Sequence, residues 1–290
     1  MASTYNNIYL DARKRLRDAG IESAQLEARE LVCHAAGKSR EQFLQGLALY
    51  APGQVEEQVR QLVLRRLAGE PVAYLIGEWE FYGLTVAVSP AVLIPRMDTE
   101  LLAERGILLA RAAGEGARVL DLCAGSGCVG LAVAANVPGC QVVLAEVDEQ
   151  AIELCKENIR RNDLEDRVHC ALADVRLRPG PSLRDFDVIV CNPPYIPKGD
   201  IETLEPCVKD YEPRIALDGG ADGLDYYRII PGKWGCALRP GGSLLFEVGF
   251  DQAQDVEALM VQAGFTQLRS WQDTQGIWRV VEGILTGQTA

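Results

Sequence analysis

At 290 residues, 48% of them hydrophobic, the chain is long enough for two domains, or for one large domain with an appendage. No apolar run approaches the ~20 residues of a membrane span, and residues 1–10 lack the basic start and apolar core of a signal peptide, so a cytoplasmic protein is expected. The net charge of −12, with 30 Asp/Glu against 19 Lys/Arg beyond residue 80, argues against a grip on extended nucleic acid, which needs a basic face.

Residues 4–68 carry apolar side chains at helical spacing. Tyr9-Leu10, Leu16 and Ile21 form one stretch, Leu26, Leu31-Val32 and Ala35-Ala36 a second, and VEEQVRQLVLRRLA (55–68) another. Gly20 and Gly37-Lys38-Ser39 mark helix ends and starts. Residues 1–76 are therefore expected to be a small helical bundle. The stretch GEWEFYGLTVAVSPAVLI (77–94) is rich in aromatic and β-branched residues around Tyr82-Gly83, the pattern of a β-hairpin linker. From residue 95 to 290 strands alternate with helices. Strands are expected at 118–123, 141–147, 168–174, 186–192 and 243–248, and helices at 127–137, 149–162, 224–238 and 251–263. A closing strand pair near 265–272 and 277–284 should be antiparallel. This is the pattern of an α/β fold with a doubly wound, mostly parallel sheet.

Nine cysteines lie in apolar segments without one Cys-x-x-Cys pair, and His34 and His169 are the only histidines. Neither a zinc site nor a disulfide framework is expected from such a distribution.

Val119-Leu120-Asp121-Leu122-Cys123-Ala124-Gly125-Ser126-Gly127 reads as an apolar strand, a glycine-rich turn and a helix start. Glycines admit a ligand close to the backbone, and free N–H groups at a helix start favour an anion. Gly125, Gly127 and Gly130 also match the dinucleotide fingerprint, with Glu146 about 20 residues on. Two carboxylates favour S-adenosylmethionine instead. Asp121 precedes the glycines, where a methionine ammonium would sit, and Asp174 ends the third strand, where it could meet an adenine amino group. Glu146 and Asp148 compete for the ribose; Glu146 is the better placed, and Asp148 suits a helix N-cap.

The strand ending at Cys191 runs into Asn192-Pro193-Pro194-Tyr195. In doubly wound folds, sites form beyond the carboxyl ends of strands. An amide or aromatic-amine nitrogen is a poor nucleophile because its lone pair is delocalised. The Asn192 side-chain carbonyl and the Pro193 backbone carbonyl could each accept one N–H, aiming the lone pair at a methyl donor. Two prolines stiffen the loop, and the Tyr195 ring could stack on a planar group.

These motifs, together with Gly69-Glu70-Pro71-x-Ala73-Tyr74-x-x-Gly77, Leu93-Ile94-Pro95-Arg96-x-Asp98-Thr99-Glu100 and Tyr211-Glu212-Pro213-x-x-Ala216-Leu217, resemble those of the peptide chain release factor N5-glutamine methyltransferases, the HemK/PrmC family. The resemblance spans essentially the whole chain. It implies an N-terminal helical substrate-recognition domain (1–76), a hairpin linker (77–94) and a seven-stranded, Rossmann-like class I S-adenosylmethionine-dependent methyltransferase domain (95–290). The substrate it implies is the glutamine of a release factor's Gly-Gly-Gln motif, with S-adenosylhomocysteine as product. Cofactor contacts would fall on Asp121, Cys123, Ala124, Gly125, Ser126, Gly127, Glu146, Asp174, Val175 and Asn192, and substrate contacts on Asn192, Pro193, Pro194 and Tyr195. Cys123 stands where the family commonly has glycine, Glu146 where it has Asp, Met97 where proline is frequent, and Val175 where an aromatic is frequent. Arg96, Asp98 and Glu100 are expected to order a loop over the site or to cap the following helix, and Glu212 and Pro213 to brace the Asn192–Tyr195 loop or simply to shape a turn. Rival readings are a ribosomal-protein glutamine methyltransferase, an N6-adenine nucleic-acid methyltransferase, a nicotinamide oxidoreductase and a non-catalytic binding module.

Overall fold

The computed structural model describes residues 3–286. The chain forms two compact units, one from the chain up to Glu78 together with Glu205–Tyr211, the other from Trp79–Leu204 and from Glu212 onward. No described helix is long and apolar enough to cross a membrane.

The first unit is helical: α1 (Tyr5–Asp18), α2 (Ala24–Ala36), α3 (Arg40–Gln45), α4 (Gly53–Leu67) and α5 (Val72–Ile76). Local chemistry sets the helix ends. The Thr4 hydroxyl accepts from the Asn7 N–H at 3.2 Å, and Ser39 with Gln42 forms a reciprocal capping box. Ile8, Ala12 and Leu16 fall on one face of α1 at four-residue spacing and are buried with Leu31 and Val32 of α2 and Val55, Val59 and Val63 of α4. Arg66 on α4 pairs with the buried Glu27 on α2 at 2.6 Å, a shielded link between two helices. The returning segment is tied in by Tyr211, whose hydroxyl donates to the Ala68 carbonyl at 3.2 Å. Its ring passes Gly69 so closely that a Cβ there would touch it.

In the second unit, the hairpin β1 (Glu78–Phe81) and β2 (Leu84–Ala87) precedes α6 (Glu100–Ala113). Then follow β3 (Arg118–Leu122), α7 (Cys128–Asn136), β4 (Gln141–Glu146), α8 (Glu149–Arg161), β5 (Val168–Leu172) and β6 (Phe186–Cys191). After the short helix α9 (Pro206–Lys209), which belongs to the first unit, come α10 (Asp225–Trp234), β7 (Leu238–Glu247), α11 (Ala253–Gln262), β8 (Phe265–Gln272) and β9 (Trp278–Leu285). The seven-stranded sheet has the order β5-β4-β3-β6-β7-β9-β8. Pairing is parallel from β5 to β7, and β9 is antiparallel to both β7 and β8. The doubly wound α/β class is thus the observed one. Strand order reverses at β3 and β6, the topological switch point where such folds bind ligands. Every residue of β6 is buried, as a central parallel strand covered on both faces requires.

Several boundaries differ from the sequence reading for local reasons. The first sheet strand stops at Leu122 because Cys123 adopts a left-handed conformation (φ 57°). β5 stops at Leu172, and the backbone turns over Asp174, whose carbonyl accepts from the Leu177 N–H at 2.9 Å. β7 begins at Leu238 rather than near 243, and its pairing with β6 shifts register between Phe186 and Val188.

Asn158 on α8 is wholly buried. Its Oδ1 accepts from the Ala87 N–H at 2.6 Å, and its Nδ2 donates to the carbonyls of Ala87 (3.0 Å) and Ser126 (2.9 Å). One side chain therefore joins the hairpin exit to the glycine-rich turn. Each buried polar group left unpaired costs about 1–3 kcal/mol, so Asn158→Ala should lower unfolding free energy by about 3 kcal/mol or more in urea titration. A loss below about 1 kcal/mol would mean that water replaces these bonds.

Candidate active site

Between β3 and α7 the chain must reverse within five residues. Cys123, Gly125 and Gly127 all have positive φ (57°, 55° and 79°). A non-glycine residue in that region costs roughly 1–2 kcal/mol, which explains why glycine is usual where this chain has Cys123. Gly127 and Gly130 serve packing as well: a Cβ on Gly127 would meet Leu144 Cδ1 at 2.7 Å, and one on Gly130 would collide with the same side chain.

Asp121, the penultimate residue of β3, is 2% exposed. Its Oδ2 accepts from the Gly130 N–H at 2.8 Å. Burial outweighs that bond and pushes the carboxyl up from 3.8 to about 7, with Glu146 adding to the rise. A cation set against this carboxyl would restore its charge. Glu146 ends β4. Its Oε2 accepts from the Gly125 N–H at 2.9 Å and its Oε1 from the Val147 N–H at 2.7 Å, so it shapes the glycine turn. Asp148 instead caps α8 through the N–H groups of Gln150 and Ala151. Asp174 is clasped by Arg176, with Nε to Oδ1 at 2.9 Å and Nη2 to Oδ2 at 3.0 Å. That pairing holds its carboxyl below the usual range.

These residues line one cleft of about 980 Å³, mouth included. Of the sequence-predicted set, Asp121, Cys123, Ala124, Gly125, Ser126, Glu146, Asp174, Val175, Asn192 and Pro194 border it. Gly127, Pro193 and Tyr195 are not among its lining residues. Gly127 lies at the foot of the turn. The Tyr195 ring packs against the sheet's core, and burial pushes its phenol upward.

The Asn192–Tyr195 loop leaves β6 at the switch point and is held from behind. Gly219 packs on Pro194 and Tyr195 so tightly that a Cβ would lie 2.8 Å from Tyr195 Cα. The Ile196 N–H donates to the Leu217 carbonyl at 3.0 Å, and the Gly219 N–H to the Ile196 carbonyl at 2.9 Å. Gln252 donates from Nε2 to the Tyr195 carbonyl at 3.0 Å and accepts at Oε1 from the Gly249 N–H at 2.9 Å. Asn192 Nδ2 donates to Thr99 Oγ1 at 3.4 Å. Gln252 and Gly219 were not singled out from the sequence, because neither sits in a spacing with chemical meaning.

The segment before α6 divides its work. Arg96 and Thr99 border the cleft. The Asp98 carboxylate pairs with Arg279 at 3.2 Å, and Glu100 accepts from the Tyr82 N–H at 3.0 Å. Glu212 is buried; it pairs with Arg96 and accepts from the Ile94 N–H at 3.2 Å. It therefore braces the segment entering the site rather than the Asn192–Tyr195 loop.

Comparison with known proteins accords with this geometry. Residues 8–77 match the PrmC N-terminal domain and residues 98–205 the methyltransferase small domain. The chain is 42% identical over 277 residues to the release factor glutamine methyltransferase of Geobacter sulfurreducens, covering 93% of each chain. It is 40% identical over 272 residues to that of Bordetella pertussis, covering 93% of this chain and 97% of the other. A solved methyltransferase from Pyrococcus furiosus, 20% identical, has the same fold with a TM-score of 0.51 over 79% of this chain and 98% of its own. On the strength of whole-length identity joined to this cleft, the chain belongs to the release factor glutamine methyltransferase family.

Proposed function

We propose that this enzyme transfers the methyl group of S-adenosylmethionine to the side-chain amide nitrogen (N5) of the glutamine in the Gly-Gly-Gln motif of peptide chain release factors. The observation that carries the reading is one cleft with two chemically distinct ends. Asp121 and Glu146 stand at the ends of β3 and β4, and Asn192 stands at the end of β6.

The donor set fits the cofactor. Asp121 is a buried carboxyl, raised to about 7, that gains from an ammonium beside it. Glu146 retains lone pairs for ribose hydroxyls, and the left-handed turn leaves Gly125 without a side chain over the cleft. Val175 supplies an apolar surface for adenine. Asp174 would exchange Arg176 for the adenine amino group. When bound, the cofactor supplies an electrophilic methyl on a sulfonium. The chain's own contribution is orientation. Asn192 Oδ1 and the Pro193 carbonyl each accept one hydrogen of the glutamine –NH2, favouring a pyramidal nitrogen with its lone pair facing the methyl group. The buttressed backbone of Pro194 and Tyr195 fixes those oxygens. No base is required beforehand, because the nitrogen loses its proton after it becomes cationic.

The helical region 1–76 is proposed to recognise the release factor, a reading supported by its match to the PrmC N-terminal domain. The acid excess beyond residue 80 supports a protein rather than a nucleic-acid substrate.

Asn192→Ala should reduce turnover on release factor at least a hundredfold while cofactor affinity, read by calorimetry, stays within a few-fold. Turnover above a tenth of wild type would remove that role. Because the folded Asp121 titrates near 7 against 3.8 ordinarily, folding takes up a proton between those pH values. The stability cost of this carboxyl therefore builds from about pH 3.8 and levels off above about pH 7. Asp121→Asn should raise Tm by about 2–6 °C at pH 8, give less than half that gain at pH 5, and weaken cofactor binding at least tenfold. Equal Tm gains at both pH values would contradict the burial argument. Deleting residues 1–76 should raise KM for intact release factor at least tenfold; an unchanged KM would overturn the recognition role.

A further inference from the structure

β6 and β7 run parallel with Val190 level with Leu245 and Cys191 level with Phe246, so the residues at the next level, Asn192 and Glu247, are neighbours. Glu247 is 3% exposed, and its Oε2 has no hydrogen-bond partner among the described residues. Its backbone is fixed on both sides: the Tyr227 hydroxyl donates to the Glu247 carbonyl at 2.8 Å, and the Val248 N–H to the Arg279 carbonyl at 2.9 Å. The Thr99 hydroxyl and the Asn192 amide lie beside its carboxyl; burial pushes that carboxyl up to about 7, with Asp98 adding to the rise, while Thr99, Arg279 and Asn192 draw it down. Asn192 and Thr99 border the cleft, whereas Glu247 is not among its lining residues. A carboxylate this deeply buried with one oxygen unpaired is costly, and an apolar side chain would pack the same strand end without that cost.

An asparagine amide is nearly isosteric about its own axis. Rotated by half a turn, Asn192 would present N–H groups to the N–H groups of its substrate. Thr99 cannot choose between the two orientations, because a hydroxyl both donates and accepts. A carboxylate only accepts, and it fixes the choice in two ways. Ionised, it would draw one hydrogen from Asn192 Nδ2 and another from the Thr99 hydroxyl, whose oxygen already accepts from the same Nδ2 at 3.4 Å. We propose that Glu247 is a positioning residue for methyl transfer, locking the Asn192 amide so that Oδ1 faces the cleft. This rests on the role given to Asn192 above.

The test is steady-state kinetics on the full-length enzyme with release factor and S-adenosylmethionine, comparing Glu247→Gln in two backgrounds. In the native background, Glu247→Gln should lower kcat at least tenfold with KM within threefold, since Gln can donate and lets Asn192 rotate. An aspartate at 192 accepts with either oxygen and needs no orientation, while a neighbouring carboxylate repels it. In the Asn192→Asp background, Glu247→Gln should therefore leave kcat unchanged or raise it. A loss by the same factor in both backgrounds, or a native-background kcat within threefold of wild type, would overturn the proposal. Should Glu247→Gln fail to fold in thermal melts, Glu247→Asp, which withdraws the carboxylate from Asn192, reads the same difference in sign. The Asn192→Ala measurement is separate, so retained turnover there would mark failure of the Asn192 role itself.

Discussion

Everything at the site depends on the register of the parallel β3–β6 pair and its neighbours. Leu122 pairs with Cys191 on one side and with Ala145 on the other. The residues that follow these three positions therefore emerge at one level along one edge of the sheet. That alignment brings the glycine turn, Glu146 and Asn192 to a common cleft, although they are separated by tens of residues in sequence. A slip of one residue would exchange the faces of a whole strand. The buried apolar faces of β3 and β6 forbid it, so the hydrophobic core sets the geometry of the polar site.

The two ends of the cleft are then stiffened differently. On the cofactor side, side chains hold backbone: Asp121 grips Gly130, Glu146 grips Gly125, and Asn158 grips Ser126. On the substrate side, backbone holds backbone, through Gly219 and Gly223 packed against Pro194 and Tyr195, with Gln252 as a side-chain strut. The carboxylates on the cofactor side are partly desolvated. Asp121 lowers fold stability when ionised and is returned to a favourable state only by a cation. Stability and ligand binding are therefore opposed at that residue, as is common where function needs a charge in a dry place.

Much of this was legible in the residues. The alternation of strands and helices dictated the α/β class, and the left-handed turn was visible in Gly125 and Gly127. The site-forming tetrapeptide was visible because Asn-Pro-Pro-Tyr at a strand end has so little structural reason to exist. The hidden parts share one cause. Asn158, Thr99, Glu212, Gln252 and Glu247 act through partners from 20 to more than 100 residues away, and no periodicity encodes such distances. Glu212 shows the limit well: its neighbours in sequence suggested the substrate loop, yet its carboxylate serves Ile94 and Arg96. The place of β9 between β7 and β8 was similarly invisible, because an antiparallel closing pair fits two strand orders equally well.

The helical unit is a discontinuous body. Its helices α1–α5 precede the sheet in the chain, but Glu205–Tyr211, which carries α9 and completes the unit, is made only after β3, β4, β5 and β6. During synthesis on the ribosome, Gly69 must therefore await Tyr211 while more than a hundred intervening residues leave the exit tunnel. The helices α1–α5 are thus made well before the segment that completes their contacts.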